Sequence, residues 1–276
     1  MKISVVVPTY RPQDYFWECL DSLRTQTIAD SDFEVIIVLN GCCEPYKSSI
    51  EQWISDREVE NFRLIQTDKG GVSNARNIAL DHAEGEYITF IDDDDFVSPS
   101  YLKELYDKAS IDVVALCYPL SFTDGTKEYQ PYLITQDYIK NEGNSPCEYK
   151  KARRFFSGPV YKLIHRDIIG NKRFNTSFQN GEDSIFMFEI SDALKYVDFT
   201  SKNAIYYRRL RNGSALLRKK KPHEVVVNCF RMIKAYTAIL LCHPFRYNYF
   251  FYFTRILGAV HGAIEQFQIQ KRNYEI

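Results

Sequence analysis

Residues 86–96 read Glu86-Tyr87-Ile88-Thr89-Phe90-Ile91-Asp92-Asp93-Asp94-Asp95-Phe96. From Tyr87 to Ile91 the run is made of β-formers with no polar alternation, the pattern of a strand covered on both faces. Four consecutive carboxylates then emerge at its carboxyl end, the edge of an open α/β sheet at which ligands bind. Crowded carboxylates repel one another at roughly 332/(ε·r) kcal/mol per pair, a cost that a hard divalent cation such as Mg²⁺ or Mn²⁺ reverses. The same residues also fit a solvated acidic turn ahead of a helix, with Ser98 as N-cap and Pro99 at N1.

The flanking sequence repeats the strand pattern. Residues 3–7 and 34–39 are near-continuous β-formers, and helix-like stretches lie between the strands at 15–26, 45–55 and 72–84, the last with Gly85 placed to close it. This alternation predicts βαβ units and an α/β, Rossmann-like, mainly parallel sheet flanked by helices. A further strand is expected over 112–117, followed by an irregular, aromatic region over 118–156 that suits a substrate-facing insertion. No Gly-x-Gly-x-x-Gly follows the first strand and no Gly-x-x-x-x-Gly-Lys-Ser/Thr occurs, which argues against dinucleotide and P-loop enzymes.

The 276 residues are 45% hydrophobic and 26% charged, enough apolar material for a sizeable core. Seven cysteines occur without a Cys-x-x-Cys pair or zinc spacing, as expected of reduced thiols in a cytoplasmic protein. The N-terminal apolar run stops at Pro8, too short for a signal peptide. No uninterrupted, charge-free apolar stretch of about 18 residues is present, so no membrane-spanning helix is expected. The formal charge of −1 conceals an asymmetry: residues 218–276 carry ten Lys/Arg against three Glu, or +7, and the remainder is −8. That tail opens with Arg218-Lys219-Lys220-Lys221-Pro222 and continues with apolar residues at helical spacing and an aromatic run from Tyr247. It reads as core-packing helices with basic residues facing water, or as a helical surface for an anionic membrane, on whose cytoplasmic face the protein would be peripheral. No nucleic-acid partner is expected, and oligomeric state is not legible.

Five motifs, in order, carry a resemblance: Ser4-Val5-Val6-Val7-Pro8-Thr9-Tyr10, then Val35-Ile36-Ile37-Val38, then Gly70-Gly71-Val72-Ser73-Asn74-Ala75-Arg76-Asn77, then Phe90-Ile91-Asp92-Asp93-Asp94-Asp95, then Gly181-Glu182-Asp183. Over roughly residues 1–215 the chain resembles the family 2 glycosyltransferases of bacterial surface-polysaccharide synthesis, with 216–276 as a basic, aromatic-rich helical extension. The resemblance implies a GT-A fold, a nucleotide-diphosphosugar donor such as a UDP-sugar, Mn²⁺ or Mg²⁺, and transfer with inversion to a glycan or polyprenyl-linked glycan acceptor. It places Pro8, Thr9 and Tyr10 at the nucleoside, and Gly71, Arg76 and Asn77 near the diphosphate. Asp92, Asp93 and Asp94 form the Asp-x-Asp loop, with Asp92 and Asp94 as metal ligands and Asp183 as general base, Glu182 being the fallback.

Each placement has a physical rationale and a plainer alternative. Bare glycines before a helix offer amides and a helix N-terminus to phosphate, and Arg76 adds a fork-shaped cation, or else Arg76 braces the acidic loop. Asp183 would take the acceptor hydroxyl's proton, or simply cap its helix. The family's common acidic residue after the second strand is missing from Leu39-Asn40-Gly41-Cys42, leaving Asn40 as a substitute contact to the base. A segment where the family often carries a His reads Tyr206-Tyr207-Arg208-Arg209-Leu210-Arg211, so Arg208, or Arg209 or Arg211, would hold phosphate instead. The competing readings are a catalytically silent sugar-nucleotide-binding scaffold of the same shape and, further off, a nucleotidyltransferase.

Overall fold

The computed structural model describes residues 1–124, 128–211 and 221–272. The first strands alternate with helices: β1 (Ile3–Thr9), α1 (Asp14–Arg24), β2 (Phe33–Asn40), α2 (Tyr46–Asp56), β3 (Phe62–Thr67), α3 (Val72–His82) and β4 (Tyr87–Phe90). There follow β5 (Phe96–Val97), α4 (Tyr101–Lys108), β6 (Val113–Leu116), β7 (Tyr118–Thr123), α5 (Leu133–Asn141), β8 (Cys147–Glu148), β9 (Lys162–His165), α6 (Arg166–Ile169), α7 (Glu182–Glu189), β10 (Tyr196–Phe199) and β11 (Ile205–Leu210). Two long helices close the described chain, α8 (Pro222–Cys242) and α9 (Tyr249–Arg272).

Eight strands form one sheet in the order β3-β2-β1-β4-β9-β6-β10-β8, and β5-β11-β7 form a small second sheet. β3, β2, β1 and β4 run parallel, as the sequence predicts. β9 enters antiparallel to both β4 and β6. Every residue of β1 and β2 is buried, which is why neither alternates in polarity. β3 escaped the sequence reading because it is an edge strand, only half-buried apart from Phe62, and carries Arg63 and Gln66.

Several local expectations need correction. Gly85 does not close α3, which ends at His82 with Ala83 as C-cap. It is needed for close approach: a Cβ there would lie 2.4 Å from the Ser4 backbone nitrogen. Ser98 is not an N-cap, since α4 begins at Tyr101 after Ser100; its Oγ instead donates to Asn203 O (2.6 Å) and accepts from Ile205 N (2.8 Å), tying β5 to β11. The region expected to be irregular contains β7, α5 and β8.

α8 and α9 lie alongside the sheet domain. Phe188 of α7 packs against Tyr236 of α8 and against Tyr247, Phe251 and Tyr252, and both Tyr236 and Phe251 are fully buried. By length and composition alone α8 is apolar enough to cross a membrane, but it carries Arg231 and Lys234, so it holds no charge-free run of about 18 residues. The Tyr236 hydroxyl bond to Ser184 and the Tyr236–Phe188 ring contact hold it against α7. Of the basic cluster, Arg218, Lys219 and Lys220 lie outside the described residues, as does the expected boundary at residue 215.

Candidate active site

The carboxyl ends of β1, β2 and β4 bring the motifs together. In β1 the Val6 carbonyl faces β4 and accepts from Ile91 N at 3.0 Å. Pro8, two residues on, faces the same side beyond the last β1–β4 pair, Val6 with Phe90, so its missing N–H deprives no ladder partner. Thr9 Oγ1 donates to Asp93 Oδ2 at 2.6 Å, and Tyr10 stands exposed beyond the strand. Asn40 bridges two turns, donating from Nδ2 to Thr9 O (2.7 Å) and accepting at Oδ1 from Gly71 N (2.8 Å). Both ends of its amide are thus engaged by backbone. Gly71 has φ +118, a region that side chains avoid, and no atom lies within 4 Å of where its Cβ would be. The approach to the N-terminus of α3 is therefore open.

Arg76 is the centre of the arrangement. Its side chain is 3% exposed, its Nη2 lies 2.8 Å from Asp92 Oδ1, and its Nη1 lies 2.6 Å from Asp183 Oδ1. One guanidinium therefore joins the acidic loop to the first turn of α7, 107 residues further along the chain. Burial disfavours its charge, but Asp183 and Asp92 more than offset this and hold its pKa above the ordinary value. Asn77, expected near the diphosphate, bonds in both directions to the Phe174 backbone at 2.8 Å and pins the loop that leads to α7.

The acidic loop is not bare, as the sequence alone suggested. Asp94 Oδ2 accepts from Arg211 Nε at 2.5 Å, Asp95 Oδ1 accepts from Arg209 N at 2.7 Å, and Asp92 N donates to the Tyr206 hydroxyl at 3.2 Å. Arg209 also pairs with Glu18 and Asp124. Burial pushes the Asp93 carboxyl up to about 7 against the hydrogen bond from Thr9, and raises Asp94 against the pull of Arg211. Asp95, fully buried, is also raised well above the usual range by burial and by the neighbouring Asp94 and Asp92. Asp183 is raised by burial too, with Arg76 opposing. The N-cap of α7 is Gly181, and the Asp183 carboxylate makes no capping bond. Glu182 beside it is buried.

Period-two alternation along β11 divides the three arginines. Arg209 lies on the face of Phe122, while Arg208 shares the opposite face with Tyr206 and stacks over Tyr132 at 5.6 Å. Among the described residues Arg208 makes no ion pair. Arg209 and Arg211 are committed to carboxylates, which leaves Arg208 as the β11 cation open to an anionic ligand. The sequence reading missed Tyr206, whose hydroxyl fixes the start of the acidic loop; the only trace is its place on the inward phase of a β-strand.

Among the described residues no group of three or more His, Cys, Asp or Glu is arranged to hold a metal. What is present is a pair of partly exposed carboxylates, Asp92 and Asp94, in a loop that the Asp93–Thr9–Asn40 hydrogen-bond chain ties to the Gly71 turn. That donor set fits a cation such as Mg²⁺ or Mn²⁺, held by one or two carboxylates and completed by water and substrate phosphates.

The model of the family described as "Glycosyl transferase family 2" matches residues 4–194, more than half of the chain. The chain belongs to glycosyl transferase family 2. It is 37% identical over 219 residues to a poly(ribitol-phosphate) beta-glucosyltransferase of Bacillus spizizenii, covering 77% of this chain and 33% of that protein. It is 26% identical over 238 residues to the GalNAc(5)-diNAcBac-PP-undecaprenol beta-1,3-glucosyltransferase of Campylobacter jejuni, covering 85% and 72%. It shares the fold of Staphylococcus aureus TarS 1–349 solved with UDP-GlcNAc, at a TM-score of 0.68, 24% identity, and coverage of 87% of this chain and 67% of that one. The expected GT-A architecture is therefore present. The chain spans 64% and 24% of the length of two Bacillus subtilis relatives it matches, EpsH and GgaB.

Proposed function

We propose that this family 2 chain transfers a sugar from a nucleotide-diphosphosugar, best read as a UDP-sugar, to a hydroxyl of a glycan or polyprenyl-linked glycan acceptor, with inversion. The observation that carries this is the Arg76 bridge, which sets the donor-side loop and the Asp183 carboxylate on either side of one buried guanidinium. The relatives' names, a ribitol-phosphate glucosyltransferase and an undecaprenol-linked glucosyltransferase, support the acceptor class.

In this reading Thr9 and Asn40 shape the nucleoside end through the backbone they hold, while the Gly71 turn and Arg208 face the diphosphate. Asp92 and Asp94 would hold the cation, which when bound supplies Lewis-acid stabilisation of the departing diphosphate. Asp183 accepts the proton of the acceptor hydroxyl as its oxygen bonds to the anomeric carbon and the bond from that carbon to the diphosphate breaks. A carboxylate raised by burial is the stronger base, and a general base contributes about 10²–10⁴-fold.

The tail would bring the enzyme to an anionic, cytoplasmic membrane face. Phe245, 99% exposed between α8 and α9, stands with exposed Phe250 and Phe253 as apolar anchors, with Arg246 as the adjoining basic residue in sequence. Basic residues near an anionic surface contribute about 1 kcal/mol each.

The test is thermal unfolding with UDP-glucose and UDP-GlcNAc, with and without Mn²⁺, followed by UDP release from whichever stabilises. A ligand at a hundred times its Kd adds about 2.7 kcal/mol of stability. Asp183→Asn should keep that stabilisation and lose turnover by at least about 10²-fold. Stabilisation without turnover in the unaltered chain would favour the silent scaffold, and neither effect would remove the proposal.

A further inference from the structure

The helix carrying Asp183 is held from the far side by the tail. Tyr236 OH of α8 donates to Ser184 Oγ at 2.9 Å, and Arg255 Nη1 of α9 approaches the same oxygen at 3.5 Å. Ser184 is the residue after Asp183, so it leaves the backbone on another face of the same helical turn. Arg255 itself is buried with no ion pair among the described residues. Its Nη1 donates to Phe156 O at 3.0 Å, its Nη2 to Arg153 O at 3.2 Å, its guanidinium lies 4.7 Å from the Phe251 ring, and its Nε has no partner. Burying an arginine without a carboxylate is costly, and a hydrophobic residue there would pack at less cost. The segment entering α7 is gripped by α8: Asn228 Nδ2 donates to Asn180 O at 3.3 Å, and Arg231 Nη2 to Ser177 O at 2.9 Å.

We propose that Tyr236 of α8 and Arg255 of α9 are positioning residues that fix Ser184 and thereby the direction of the Asp183 carboxylate. Asp183 is then clamped from two sides, by Arg76 from the sheet and by the tail through Ser184. The inference rests on the reading of Asp183 as base. It adds that residues 222–272, beyond the stretch matched by the family model, set the turnover rate without touching donor. A displacement of about 1 Å at a catalytic group can cost on the order of 10²-fold in rate, so loss of the hydroxyl contact is expected to reduce kcat by about tenfold or more.

The test compares Tyr236→Phe and Ser184→Ala with Thr237→Val, in the full-length chain. Thr237 is bonded to Tyr252 OH at 2.9 Å, so its replacement removes one α8–α9 hydrogen bond and leaves both contacts to Ser184 in place. UDP binding with Mn²⁺ is followed by calorimetry, kcat by UDP release, and backbone order over residues 177–189 by amide hydrogen exchange. Tyr236→Phe and Ser184→Ala should bind UDP as the unaltered chain does, exchange faster over 177–184, and lose about tenfold in kcat. Thr237→Val should change none of the three. Equal losses in Thr237→Val would show a purely structural tail and overturn the proposal, as would unchanged exchange over 177–184 in Tyr236→Phe. If Asp183→Asn retains full turnover, the base assignment fails first; if it is inactive while Ser184→Ala and Tyr236→Phe keep full kcat, only the positioning proposal fails.

Discussion

Replacing Arg76 by Met removes the one cation shared by Asp92 and Asp183 while keeping an unbranched side chain in α3. Breaking a fully buried ion pair by removing one partner costs about 3–5 kcal/mol, because the other charge is left without compensation. Here the arginine is 3% exposed but its partners are 40% and 31% exposed, so water screens part of the loss. The lower end, about 3 kcal/mol, is the expectation. For a domain of this size that corresponds to a fall of about 6–12 °C in Tm. The deficit should depend on pH with a definite sign. Burial already raises the Asp183 carboxyl and Arg76 opposes the rise, so its removal raises it further. A carboxyl with a higher pKa in the folded chain binds more protons there than when unfolded, so stability falls as pH rises through that window. Urea denaturation at pH 5 and pH 8 should therefore give the larger deficit at pH 8. A deficit under about 0.5 kcal/mol, the range of ordinary surface substitutions, or one equal at both pH values, would refute the bridge as an energetic link.

Arg76→Lys should recover part of the stability but not both bonds, because an ammonium is a point charge without the planar fork; equal stability of Lys and Arg would contradict this. Asp94→Ala should abolish the Mn²⁺-dependent part of UDP stabilisation in thermal unfolding, and full stabilisation in the presence of EDTA would remove the metal from the site. Gly85→Ala should destabilise by several kcal/mol, since its Cβ would meet Ser4 backbone at 2.4 Å, whereas Gly71→Ala, with open space but φ +118, should cost only about 1–2 kcal/mol of backbone strain; chemical denaturation orders the two. Lys162, fully buried and donating to the Gly158 and Val160 carbonyls, has its pKa lowered by burial to about 7. The folded chain thus binds fewer protons there than the unfolded one, so this group adds stability as pH rises from 7 toward 10, and Lys162→Met should flatten that rise.

What the sequence disclosed follows from locality. Buried parallel strands such as 3–7 and 34–39 announce themselves because both faces are covered, and the acidic loop and the Gly70-Gly71 turn are contiguous signals. β3 was illegible because an edge strand with Arg63 and Gln66 has no apolar run to read. The sequence allowed Arg76 to brace the loop, as it does at Asp92, but two longer reaches were hidden: Arg211 to Asp94 across 117 residues, and Arg76 to Asp183 across 107. A single sequence carries no trace of such pairings. The same distance conceals the tail's grip on Ser184, for Tyr236 and Arg255 look like ordinary members of amphipathic helices until α7 is seen between them and the sheet.

The most direct measurement is a crystal structure of the chain with UDP and MnCl₂. The diphosphate should lie in front of the Gly71 turn within reach of Arg208, with the cation on Asp94 and Asp92 and Asp183 facing the side from which a sugar's anomeric carbon would be attacked. UDP bound away from this edge, or bound here with Asp92 and Asp94 both outside coordination distance of the cation, would contradict it.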